Sequence, residues 1–344
     1  MRARYRGSWF GLGLGLLFLA AGAGAQDKKL VLRVADSFPA GHAIPDYATK
    51  YWMDAVAKAT NHAVEFQYYP AEQLGKAKDL LSLALSGVAD IAYVGPSYVS
   101  DKMPLSAVSQ LPGSFTSACA GTMAYWKLAK DGILKREEFA PNGIRPLFAF
   151  VAPPYQVFTT KRKVDSAKSM EGMKIRTTGG AMDIMVRKLK AVPIQMAPPD
   201  MYESLSRGTL DGGVLAVTSV LAYEFVRVIR HATIGENFGS FVGTYSISEA
   251  RWQKLPPDIQ KAMLEAGEAT VQRTCALMDK NEEGLFDKIR QQGVALNRFP
   301  EAERKELEQL FASLAGEWAE GLDKRGKSGT ETLKAFRAAL KERQ

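Results

Sequence analysis

Cysteine and histidine are scarce in this chain of 344 residues: there are two cysteines, Cys119 and Cys275, and three histidines, His42, His62 and His231. So small a supply leaves no cluster at metal-ligand spacing. No Gly-x-Ser-x-Gly elbow and no His-Glu-x-x-His helix occurs, which removes the commonest signatures of an exported hydrolase. Beyond the first 25 residues no apolar run is long enough to span a bilayer. Charge is not concentrated either. The basic residues number 45 against 37 acidic ones, and runs such as Lys161-Arg162-Lys163 are short, so no nucleic-acid surface is expected. No cofactor motif is present, and neither a cofactor nor a metal is expected. The two cysteines leave two readings open. An oxidising compartment permits a disulfide, but spacing does not establish proximity, and two separate buried thiols fit as well.

What is present begins with an address. Arg2, Arg4 and Arg6 precede an apolar core from Trp9 to Ala21, and Ala23-Gly24-Ala25 supplies small residues at a cleavage position. This is the pattern of a secretory signal peptide over 1–25, cut near Ala25, and it places the mature protein in the periplasm. Removing those three arginines from the 45 basic residues leaves 42 against 37 acidic ones, a mildly basic surface. Roughly 320 remaining residues exceed what one core organises, so two lobes are expected.

The chain then alternates strands and helices. Leu30 to Ala35 reads as a strand, Asp46 to Thr60 as a helix, and Ala63 to Tyr69 as a half-buried strand. Lys76 to Ser86 is a helix closed by Gly87, and Ile91 to Val94 is a buried strand. Repeated strand–helix units indicate an α/β fold with parallel sheets, and ligands of such sheets sit outside the carboxyl ends of the strands. That rule nominates the loops 38–42, 72–74 and 95–98. His42 lies in the first of them and reads as a surface residue or one behind the site, for want of a ligating partner. Pro146 to Thr160 is apolar and carries the chain into a second series of units. Phe238 to Ile247 carries it back, and Pro256-Pro257-Asp258 opens a long helix.

The stretch from Gly172 to Leu215 has the chemistry of a holding site. A short strand, Met173 to Arg176, ends on a cation. A permissive turn, Thr177-Thr178-Gly179-Gly180, follows, and then a helix with Met182, Met185, Val186 and Leu189 on one face. A guanidinium beside a helix start suits a carboxylate.

Four segments carry a family resemblance: Pro70 to Gly75 (PAEQLG), Gly87 to Asp90, Gly172 to Arg176 (GMKIR) and Met201 to Gly212 (MYESLSRGTLDG). In this order and spacing the chain resembles the DctP-type periplasmic substrate-binding subunit of tripartite ATP-independent periplasmic (TRAP) transporters. The resemblance implies a two-lobed periplasmic binding protein fold, its lobes joined by crossing strands and a long helix, with a ligand cleft between them. The expected division is 26–150 plus about 238–275 for the first lobe, and 151–237 plus about 276–344 for the second. It implies a receptor without catalysis, working as a monomer and delivering a small organic acid to the small and large membrane subunits of an ion-gradient-driven permease. Arg176 takes the role of the arginine that pairs with the substrate carboxylate. Two departures shape the ligand. Gly213-Val214-Leu215 replaces a polar and amide-bearing segment common in relatives, and Tyr155-Gln156 stands where some members carry a second arginine. Expected ligand contacts are Arg176, Phe38, Glu72, Tyr98, Tyr155, Gln156, Thr177, Met196 and Leu215. One arginine among apolar and aromatic groups points to a monocarboxylate with an apolar or aromatic body, since the second charge of a dicarboxylate would be poorly paired. The binding subunit of an ATP-driven importer or of a sensor, for C4-dicarboxylates, and an exported enzyme are the rival readings.

Overall fold

The computed structural model describes residues 29–342. The expected signal peptide lies outside the described residues.

Two sheets form the frame. The first begins with β1 (Leu30–Ala35), whose parallel neighbour is β2 (Val64–Tyr69), and helix α1 (Lys50–Ala59) makes the crossover between them. Helix α2 (Leu80–Ser86) ends on Gly87 in the left-handed conformation, φ 76°, a C-terminal cap that a Cβ would strain. β3 (Ile91–Val94) then pairs in parallel with β1 on the other side. Helix α3 (Ala118–Lys130) starts on Ser117, whose side chain accepts a hydrogen bond from the Ala120 N–H. β4 (Ile144–Val151) closes the first excursion.

The second sheet contains β5 (Gln156–Thr159), β6 (Lys174–Thr177), β7 (Val192–Gln195), β8 (Gly212–Leu215), β9 (His231–Thr233) and β11 (Ala295–Asn297). Its helices are α4 (Ala181–Lys188), α5 (Met201–Ser206) and α6 (Val217–Ala222). Strand β10 (Val242–Ser248) returns to the first sheet, antiparallel to both β3 and β4. The orders are β2-β1-β3-β10-β4 and β11-β9-β5-β8-β6-β7.

The chain therefore makes two extended crossings between the sheets, after β4 and before β10, and returns to the second sheet once more at β11. The two crossings are hydrogen-bonded to each other, Ala152 N–H to the Phe241 carbonyl at 2.8 Å and Tyr155 N–H to the Gly239 carbonyl at 2.8 Å. Gly239 has φ 94°, and a Cβ on it would stand 2.2 Å from the Gln110 carbonyl oxygen, so only glycine fits here. After the short helix α7 (Glu249–Trp252), helix α8 runs unbroken from Pro257 to Gln291, about 52 Å of helix. It packs on α1, α3 and β4 of the first lobe and on α6 and β11 of the second. Cys119 and Cys275 form a disulfide that fixes α3 to α8, and Asp279, one turn further on, accepts from the Ala118 and Cys119 N–H groups at the start of α3. Of the two readings the cysteines left open, the bonded one holds.

The C-terminal helices are α9 (Glu301–Ala312), α10 (Leu314–Asp323) and α11 (Gly329–Lys341). Of the segment 276–344 expected on the second lobe, the described residues 276–342 do not lie wholly there. Its strand β11 joins the second sheet, but α11 packs on α3 of the first. The cause is its apolar stripe of Leu333, Phe336 and Ala339, which is buried there.

Candidate ligand-binding site

Arg176 is the site's fixed point. It lies on β6 with neighbours on both sides, opposite Ile194 of β7 and Gly213 of β8. Gly213 makes the space for it: a Cβ there would stand 3.2 Å from the arginine Cβ and 2.7 Å from Met201 Cε. The side chain is 0% exposed. Its Nε donates to the Met196 carbonyl at 2.8 Å, Nη1 to the Val214 carbonyl at 3.1 Å and Nη2 to the Tyr98 hydroxyl at 3.4 Å. A guanidinium carries five N–H groups, so about two remain, one on each terminal nitrogen, which is the parallel pair a carboxylate accepts. Among the described residues Arg176 has no acidic partner within 4 Å, although 23 other ion pairs form. A buried cation without a counter-charge costs several kcal/mol, and an anion in the cleft removes that cost.

Facing Arg176 is an aromatic wall. Tyr98 meets Phe241 at 5.5 Å between ring centroids. Phe38, on the loop after β1, stacks on His42 at 4.4 Å and meets Tyr93 edge-on at 4.9 Å. Tyr223, just past α6, stands edge-on to His42 at 5.8 Å. Gly95 keeps this wall close, since a Cβ on it would lie 2.8 Å from the Tyr98 ring and 3.0 Å from the Tyr93 hydroxyl. Burial pushes the hydroxyls of Tyr98 and Tyr155 up from the usual phenolic range, with the Arg176 charge opposing the shift in both.

The lobes meet through polar pairs as well. His42 Nδ1 accepts from the Ile44 N–H at 3.2 Å, so Nε2 carries the proton and donates to Ser219 Oγ of α6 at 3.2 Å. Burial lowers the His42 pKa to about 3, with the Asp46 charge pulling the other way. Gln110 donates to Ser97 Oγ at 2.6 Å on its own lobe and to Thr178 Oγ1 at 2.8 Å on the other. These contacts describe a closed cleft.

The expected ligand contacts divide into two groups. Arg176, Phe38, Tyr98 and Tyr155 share the cleft, the Met196 carbonyl holds the guanidinium, and Leu215 is buried on β8 beside the Val214 carbonyl that does the same. Three side chains are spent within the protein instead. The Glu72 carboxylate accepts from the Ala77 N–H and from Lys76, both at 2.8 Å, which secures the turn before α2. The Gln156 amide donates to the Glu236 carbonyl at 2.5 Å and accepts from Thr233 Oγ1 at 2.8 Å, within the second lobe near its crossings. The Thr177 hydroxyl donates to Asp183 in the first turn of α4. Arg162 does not reach the cleft either; it donates to the Ser169 and Glu171 carbonyls.

Of the two readings of His42 the surface one fails, since it is 1% exposed and lies behind Phe38; sequence reasoning missed Tyr93, Tyr223, Gln110 and Ser219. Applying the strand-end rule to β8, as it was applied to the first lobe, would have found the segment 216–223. Tyr93 carried no signal, because a tyrosine within an apolar strand reads as core. Among the described residues no group of three or more His, Cys, Asp or Glu side chains is placed to hold a metal.

Asp36 needs a separate account. Its buried carboxylate accepts from the Tyr245 hydroxyl at 2.6 Å, the Tyr68 hydroxyl at 2.8 Å and the Phe38 N–H at 3.0 Å. Desolvation raises its pKa against these bonds. It positions the Phe38 loop.

Comparison with known proteins supplies the lineage. The chain is 26% identical over 298 residues to the outer membrane transporter protein TsaT of Comamonas testosteroni, covering 84% of this chain and 85% of that one. It is 26% identical over 352 residues to the C4-dicarboxylate-binding periplasmic protein DctP of Rhodobacter capsulatus, covering 96% and 97%. Its fold matches the crystal structure of a TRAP solute-binding protein from Rhodoferax ferrireducens T118 in complex with copurified benzoate. That match has a TM-score of 0.84 at 23% identity and covers 91% of this chain and 98% of that one. The sequence profile of the bacterial extracellular solute-binding proteins, family 7, matches residues 34–321, and the chain belongs to that family, DctP.

Proposed function

We propose that this protein is the extracytoplasmic receptor of a TRAP transporter, exported to the periplasm, and that it binds an organic monocarboxylate with an aromatic body. The carrying observation is Arg176: a fully buried guanidinium with two uncommitted N–H groups and, among the described residues, no acidic partner, facing an aromatic wall. A carboxylate fills the first requirement and a flat apolar body the second. The benzoate copurified with the Rhodoferax relative supports this class of ligand. The relative from Rhodobacter, named for C4-dicarboxylates, suggests the alternative. Against it, Asp36, whose carboxylate holds the Phe38 loop, acts on the Tyr93 and Tyr223 hydroxyls and would repel a second carboxylate there. Closure about the paired crossings would then present the loaded receptor to the small and large permease subunits.

The reading is tested by thermal shift over aromatic monocarboxylates and C4-dicarboxylates, with and without Arg176→Ala. A ligand at 100 times its Kd adds about 2.7 kcal/mol to the folded state, which raises Tm by roughly 5 °C. The expected result is a shift with aromatic monocarboxylates alone, lost in the variant. A shift that survives in Arg176→Ala would refute the role of the arginine. A shift confined to dicarboxylates would refute the ligand class.

A further inference from the structure

The turn Thr177–Gly180 does more than follow Arg176: it is also a point where the two lobes touch. Gly180 stands at φ 62°, and a Cβ on it would lie 2.6 Å from Gln110 Oε1 and 3.3 Å from Ala107 Cβ. Both of those residues belong to the helical turn Leu105–Gln110 of the first lobe. That turn is firmly held, because its first two N–H groups and the Ser106 hydroxyl all donate to the buried Glu138 carboxylate.

Gln110 joins three parts of the molecule. Its Nε2 donates to Ser97 Oγ at 2.6 Å and to Thr178 Oγ1 at 2.8 Å, one hydroxyl on each lobe. Its main-chain carbonyl oxygen lies 2.2 Å from where a Cβ on Gly239 would stand, so its backbone rests against the returning crossing. Gln110 and Thr178 are 0% exposed and Ser97 is 3% exposed. A hydrogen bond sealed in this way is not weakened by competing water.

The places of the two hydroxyls give the bridge its use. Ser97 immediately precedes Tyr98, and Thr178 follows Arg176 by two residues. Tyr98 and Arg176 meet across the cleft at 3.4 Å, long for a hydrogen bond, so that contact alone holds the lobes weakly. Gln110 fastens the chain beside each of them. Of the other links between the lobes, His42 to Ser219 lies by the aromatic wall, and Lys76 to Asp200 at 3.7 Å is exposed and adds little. Gln110 Oε1 has no hydrogen-bond partner among the described residues. The closed form thus carries an unsatisfied acceptor that opening would hydrate. One side chain both holds the lobes and favours their release.

We infer that Gln110 is the positioning residue of closure, its amide tying Ser97 of the first lobe to Thr178 of the second so that Tyr98 and Arg176 stay aligned on a bound carboxylate. It acts through the two loops it joins. The inference rests on Arg176 as the partner of the carboxylate and holds for aromatic and C4 acids alike. Closure is what brings the two hydroxyls to one amide, so Gln110 governs how long the cleft stays shut and leaves entry into the open cleft unchanged. Its effect falls on koff.

The test is stopped-flow kinetics with benzoate and with succinate against the wild type, Gln110→Met, Thr178→Val and the double variant. Met keeps the length of glutamine and Val the shape of threonine. For whichever acid binds the wild type, each single variant is expected to raise koff about five- to tenfold, with kon within about twofold. The koff of the double variant should stay within about twofold of Gln110→Met, because the bond is already gone. The Tm of the empty protein should fall by less than about 2 °C. A koff within about twofold of wild type in either single variant overturns the assignment. So do losses that multiply in the double variant, since the two side chains then act separately. A loss in Gln110→Met that comes with a fall of about 5 °C or more in the empty protein's Tm overturns it too, because Gln110 then serves the crossing and not closure. Failure of both acids to bind the wild type overturns the carboxylate reading, and the role of Gln110 falls with it.

Discussion

Arg176→Lys is the sharpest perturbation of the site, because it keeps the charge and removes the fork. In the structure one planar group does two tasks: it is anchored by the Met196 and Val214 carbonyls and by Tyr98, and it keeps one N–H free on each terminal nitrogen. An ammonium has three protons on a single atom. If it reaches the two carbonyls it has one donor left, and if it turns to the ligand it abandons them. Losing one charge-assisted bond of a parallel pair corresponds to about 1.4–2.8 kcal/mol, or a 10- to 100-fold rise in Kd. Isothermal titration with benzoate or a hydroxybenzoate at fixed ionic strength measures it. Thermal unfolding without ligand separates lost affinity from lost fold. A lysine variant that binds within threefold of wild type would refute the two-donor geometry and leave Arg176 a source of positive potential.

Three further outcomes follow from other parts of the molecule. Replacing Cys119 and Cys275 by serine removes a cross-link spanning 156 residues; unfolding should ease by about 2–5 kcal/mol, seen as a lower Tm, with ligand Kd unchanged. A lowered Kd-independent Tm of that size should also appear on full reduction of the wild type, and an unaltered Tm in the serine variant would contradict a structural role. His42 is held to about 3 in the closed form against 6.5 in water. The open or unfolded form therefore binds the extra proton, and closure is weakened as pH falls from 6.5 towards 3. Ligand affinity should drop about tenfold between pH 7 and pH 5, and His42→Gln should flatten that slope; a wild-type affinity constant over this range would count against the account. Gly239→Ala places a Cβ 2.2 Å from the Gln110 carbonyl at φ 94°, so differential scanning calorimetry should register destabilisation of about 2 kcal/mol or more.

Much of this was legible in the chain because it depends on local pattern. The strand read at Leu30 to Ala35 and the apolar run at Ile91 to Val94 match β1 and β3 to the residue. Gly87 and Gly208 both stand at positive φ where a helix ends. Faces were harder to read. Tyr47, Tyr51, Ala55 and Ala59 are spaced as one helical stripe with Trp52 and Val56 beside it, and the buried positions are Ala48 with those two neighbours, Trp52 and Val56. Tyr51 instead lies beneath the Arg273 guanidinium at 4.8 Å; both stripes have helical spacing, and only the packing partner decides between them. The burial of Arg176 between two carbonyls and a phenol agrees with the sequence reading of a cation that ends a strand before a helix, and its pairing with a carboxylate stays the proposal. Glu72, Gln156 and Thr177 bond within the protein, which the sequence did not show, since a polar side chain in a turn or at a strand end can serve its own fold as readily as a ligand. His42, Ser219, Tyr93 and Tyr223 come together only across the two lobes, and no single-chain pattern encodes that meeting.

The isolation of Arg176 also bears on what an unloaded receptor does. Shutting the cleft around water alone strips a cation of solvent and gives it nothing in return but two carbonyls and a phenol. If that penalty amounts to about 3 kcal/mol, fewer than one empty molecule in a hundred is shut at any moment. The carboxylate then acts as the missing countercharge that licenses closure, and shape alone reports occupancy. For a receptor that serves a permease, this keeps the numerous empty copies from competing at the membrane with the few that carry cargo.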